Sequence, residues 1–79
     1  MAATDILSVS ERASQIRQFL EEQILNTGED RALYLGLLGC RQELSGITAR
    51  RRLSGEDIEA FVANNLRPLL ERHQIELTL

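Results

Sequence analysis

The sequence predicts an all-α fold: a small three-helix domain in which an antiparallel helical hairpin carries a third, proline-kinked helix and an extended C-terminal tail. Two observations lead there. Apolar residues recur at spacings of three and four in three separate stretches, the signature of amphipathic helices. Each stretch is also bracketed by residues that start or stop helices. These signals place helices at about 10–26, 29–45 and 55–73 and a tail at 74–79, all within one domain covering 1–79.

The first helix rests on Val9, Ala13, Ile16, Leu20 and Ile24, widened by Phe19 and Leu25. Ser8 or Ser10 can cap it, and Glu11 suits the positive end of its dipole. An earlier start at Thr4 would account for Ile6 and Leu7. Asn26-Thr27-Gly28 ends the helix, because Gly28 can adopt the left-handed conformation that closes one. Thr27 is then the expected cap of the second helix, with Asp30 three residues on. So short a link forces the two helices antiparallel.

The second helix carries Leu33, Leu37, Cys40 and Leu44 on one stripe and Tyr34 and Leu38 on an adjoining one, with Leu35 extending the apolar surface further. It is the most apolar of the three and therefore the expected centre. Gly36 and Gly39 lie inside it, each costing about 0.5–1 kcal/mol relative to alanine. Close approach of another backbone beside Gly36, Gly39 and Cys40 would compensate, whether from the first helix or from a second subunit. Ser45-Gly46 is the expected end. The connector 47–53 follows, with room for a short helical turn capped by Thr48.

Leu53-Ser54-Gly55-Glu56-Asp57-Ile58 marks the third start. Ser54 is placed to cap, Asp57 holds the capping-box position, and Leu53 and Ile58 have the spacing of a hydrophobic staple. Ile58, Phe61, Val62, Leu66, Leu69 and Leu70 form the stripe. Pro68 interrupts it, lacking an N–H and crowding the carbonyl of Asn64, so a kink, or a break near Asn65, is expected. Beyond His73 the chain alternates polar and apolar residues, with Ile75, Leu77 and Leu79 on one side.

Composition narrows the functional classes. A 79-residue chain buries only about 60% of its unfolded surface. Its aromatics are Phe19, Tyr34 and Phe61 alone, so the core must be aliphatic. One cysteine, Cys40, permits no internal disulfide. Self-association or a protein partner is the remaining way to gain burial. No run approaches the ~20 apolar residues of a membrane span, and no secretory signal is legible. With a single free thiol this points to the cytoplasm.

The net charge is −3, against a general polyanion binder, but its distribution is uneven. Residues 1–30 hold six acids and two arginines, 31–53 hold five arginines and one acid, and 54–79 hold five acids and two arginines. All nine basic side chains are arginine. Arg50, Arg51 and Arg52 form a candidate anion contact. The acids Glu56, Asp57 and Glu59 that follow would repel phosphates, which makes nucleic acid the lesser reading. Cys40 and His73 do not make a zinc site. The adjacent acid pairs Glu21-Glu22, Glu29-Asp30 and Glu56-Asp57 do not face one another on a helix and offer no acid–base couple. There is no phosphate loop.

The expectation is thus a non-enzymatic protein–protein interaction module: a small helical subunit, adaptor or regulator that self-associates, needing no cofactor or metal. Its candidate interface is Leu35, Gly36, Gly39, Cys40, Ile75, Leu77 and Leu79. The alternative is a small nucleic-acid-associated regulator acting through Arg50, Arg51 and Arg52.

Overall fold

The computed structural model describes residues 8–49 and 53–77. It is all-α, with no strand among the described residues. Helix α1 (Val9–Leu25) and helix α2 (Arg31–Thr48) form the hairpin. The third helix is joined from α3 (Gly55–Phe61), a π-helical turn (Val62–Leu66) and α4 (Arg67–Arg72), and packs against the hairpin.

Each start follows from a side-chain cap. At α1, the Glu11 N–H donates to Ser8 Oγ (3.1 Å) and the Ser8 N–H to Glu11 Oε1 (3.4 Å), a reciprocal capping box. At α3, Ser54 Oγ accepts from the Asp57 N–H at 3.1 Å, as the sequence implies. At α2 the cap is Asp30 rather than Thr27, its Oδ1 accepting from the Leu33 N–H at 3.1 Å. Thr27 is already engaged, donating its hydroxyl to the Ile24 carbonyl at the end of α1 (3.1 Å). Gly28, at φ +60°, reverses the chain between them.

Helix α2 does not stop at Ser45-Gly46 but continues to Thr48. Leu33, Leu37, Cys40, Leu44 and Ile47 are all buried, at spacings of four, three, four and three. Burying Ile47 on that stripe outweighs the propensity cost of Gly46 inside the helix. Thr48, expected to cap a following turn, instead donates its hydroxyl back to the Ser45 carbonyl (3.1 Å).

Pro68 is accommodated by a wider turn rather than a break. The Arg67 N–H donates five residues back, to the Val62 carbonyl, immediately before the proline. The sequence needs this turn for a second reason. Ile58, Val62, Leu66 and Leu70 are spaced four apart throughout, so on a regular helix the last would lie about 120° round from the first. One extra residue in a turn takes up about 100° of that drift. All four side chains are accordingly buried, with Phe61 and Leu69 beside them. Ala63, Asn64 and Asn65 on the far side are exposed.

The core is aliphatic apart from Phe19, Cys40 and Phe61, and no polar or charged residue is buried among the described residues. Among the described residues, two arginine–carboxylate pairs cross the helices at the surface. Arg12 meets Glu59 through both ends of the guanidinium fork (Nε–Oε2 2.9 Å, Nη2–Oε1 3.3 Å), and Arg41 Nη1 meets Glu21 Oε1 at 3.1 Å. Exposed pairs of this kind contribute about 0–1 kcal/mol each.

Candidate functional site

The small-residue ridge of α2 divides between inside and outside. A Cβ added to Gly36 would lie 2.6 Å from Leu69 Cδ1 and 3.1 Å from Cδ2, so the leucine of α4 occupies the room the glycine leaves. The close neighbour is thus a side chain of the same chain, not a backbone or a second subunit. Cys40 faces the same way: it is buried, and its thiol donates to the Asn65 carbonyl of the π turn at 3.8 Å. Burial pushes this thiol above its ordinary value of 9.0, and the Glu43 carboxylate adds to the shift. Gly39 has nothing within 4 Å of its Cβ position and faces open space.

Leu35 and Tyr34 are exposed, at 53% and 38%. Leu38, half-buried, lies three and four residues on, and Gly39 lies four beyond Leu35, so these residues share the outer face of α2. Leu25, assigned by its spacing to the core side of α1, is 84% exposed. It sits about 180° round the helix from Ile16, which is fully buried.

The described part of the tail, to Leu77, packs on its own chain. Ile75 and Leu77 are half-buried against the core and Glu76 between them is exposed, so the alternation seen in the sequence is expressed without a paired strand. Leu79 lies outside the described residues, as do Arg50, Arg51 and Arg52.

One feature escaped the sequence reading. A cleft of about 230 Å³ opens between the N-terminal half of α1 and the C-terminal end of α2. Ala13, Leu44 and Leu53 supply its apolar lining, and Ser10, Ser14, Arg17, Ser45 and Thr48 its polar lining. The signal was present: Ser10, Ser14 and Arg17 sit at i, i+4 and i+7 on one ridge, and Ala13 and the two serines beside it are small. The hairpin is underfilled at that point.

Among the described residues no group of three or more His, Cys, Asp or Glu side chains is arranged to hold a metal ion, and no helix is long and apolar enough to cross a membrane. No family model, curated protein or solved structure matches this chain.

Proposed function

We propose that this chain is a non-enzymatic interaction module, a small helical subunit, adaptor or regulator that binds a protein partner or a second copy of itself through the outer face of α2. The observation that carries the reading is the apolar character of that face, where Tyr34 and Leu35 stand in solvent beside Leu38 and the uncovered Gly39. Lone exposed apolar residues are ordinary, but neighbouring ones on a single helix face form a patch. An open glycine inside a helix lets another element approach closely, which would offset its propensity cost. A cytoplasmic setting accompanies this reading, because Cys40 is a free thiol.

Sedimentation equilibrium over a wide concentration range tests self-association, and Leu35→Glu tests the face. Wild type should form dimers or larger species. The variant should remain monomeric with unchanged helical circular dichroism, because Leu35 makes little contribution to the core. A wild-type chain that stays monomeric throughout removes the homo-oligomer reading. Unchanged association in Leu35→Glu would place the interface elsewhere.

A further inference from the structure

We infer that the cleft between α1 and α2 is a binding site for a small amphiphilic anion: an oxyanion head, phosphate or carboxylate, on a short apolar body. The lining divides in the way such a ligand requires. Ala13, Leu44 and Leu53 offer an apolar wall, whereas Arg17 and the hydroxyls of Ser10, Ser14 and Ser45 offer donors. At about 230 Å³ the space suits a molecule smaller than the drug-sized ligands of typical pockets.

Charge supports the anionic head. Among the described residues Arg17 is the one titratable side chain in the lining, and it makes no ion pair with any of them. Of the three acids nearest to it in sequence, two are engaged elsewhere and Glu22, five residues on, lies about 140° round the helix. Glu21, one turn along, is held by Arg41, and Glu11 is held in the capping box with Ser8. A guanidinium presents a planar fork of donors suited to carboxylate or phosphate oxygens. The hydroxyls of Ser10, Ser14 and Ser45 make no hydrogen bond to the described protein, leaving their donors available. The opposing influence is the C-terminal end of α2, whose last carbonyls carry negative partial charge. It is blunted where it meets the cleft, because the Ser45 carbonyl already accepts from the Thr48 hydroxyl and the Ala49 N–H.

Amide chemical-shift titration of the full chain tests the site, using phenyl phosphate and benzoate as anions and benzyl alcohol as the uncharged counterpart. Both anions, or one of them, should shift the amides of Ser10, Ser14, Arg17 and Ser45 saturably in the millimolar range. Phenyl phosphate alone would identify a phosphate ester as the ligand class, and benzoate alone a carboxylate. Arg17→Gln should weaken binding by roughly tenfold, the loss of a hydrogen bond to a charged group. Ser14→Leu, at an exposed position, should fill the cleft and abolish binding while circular dichroism is unchanged. The inference is overturned if neither anion gives saturable shifts there, if benzyl alcohol binds as tightly, or if Arg17→Gln binds like wild type.

Discussion

His73 Nδ1 lies 3.3 Å from Asp30 Oδ2, so the residue that closes the third helix touches the residue that opens the second. Asp30 uses its two oxygens separately. Oδ1 caps α2 through the Leu33 N–H, and Oδ2 meets the imidazole. Asp30→Ala should lower stability by roughly 0.5–2 kcal/mol through the cap alone. Asp30→Ser keeps a capping oxygen but loses the second contact, so it should fall between wild type and alanine. A double-mutant cycle with His73→Ala, read from urea midpoints, isolates the Asp30–His73 coupling. Strict additivity would show that the contact is geometrically close but energetically idle.

Gln74 occupies the left-handed region, at φ 59°, immediately after His73. Its N–H donates to the Glu71 carbonyl (3.1 Å) and the Ile75 N–H to the Leu70 carbonyl (2.8 Å), the paired bonds of a Schellman motif. That position favours glycine. Gln74→Gly should therefore raise stability by about 1 kcal/mol, less the extra chain entropy of glycine in the unfolded state. A lower melting temperature would mean that the glutamine side chain contributes something its conformation does not reveal.

Gly36 and Gly39 should answer the same substitution differently. Gly39→Ala meets open space in a helix interior and should stabilise the isolated chain by roughly 0.5–1 kcal/mol. Gly36→Ala gains the same propensity but must displace the end of the Leu69 side chain. Its net gain should be smaller or negative. A larger residue, as in Gly36→Leu, should destabilise by about 1–3 kcal/mol through overpacking. Equal responses of the two alanine variants in urea melts would argue that Leu69 yields freely.

Cys40 should make stability fall at alkaline pH. Burial raises its pKa in the folded state, so the folded chain holds the thiol proton where the unfolded chain releases it. This contribution is complete below the ordinary value of 9.0 and is lost as pH rises through the raised folded value. Cys40→Ala removes the ionisation. Its stability deficit relative to wild type should shrink as pH rises beyond 9, and a deficit independent of pH would show that the thiol ionises alike in both states.

The helices were legible because their causes are local. A capping serine at Ser8 or Ser54, a left-handed Gly28, and apolar residues three and four apart act within one or two turns, and the sequence displays them directly. The end of α2 was less legible, because Gly46 is a local stop signal that only the distant burial of Ile47 overrides. The cap of α2 went to Asp30 because Thr27 was taken by the preceding helix, a competition between two adequate residues.

What the sequence determined by itself is the three-helix architecture, the core stripes and most of the caps, since each depends on residues within a few positions of one another. What only the tertiary structure decided is which apolar surface stays uncovered. Gly36 and Cys40 are claimed by Leu69 and the Asn65 carbonyl, some twenty-five or more residues away, while Gly39 and Leu35 on the same helix are left to solvent. The π turn belongs to both: its four-residue spacing and Pro68 are written in the chain, but a wide turn is favoured only once the whole stripe has a hairpin to face. Helix periodicity states that a face is apolar; whether a neighbour covers it depends on where the other helices lie.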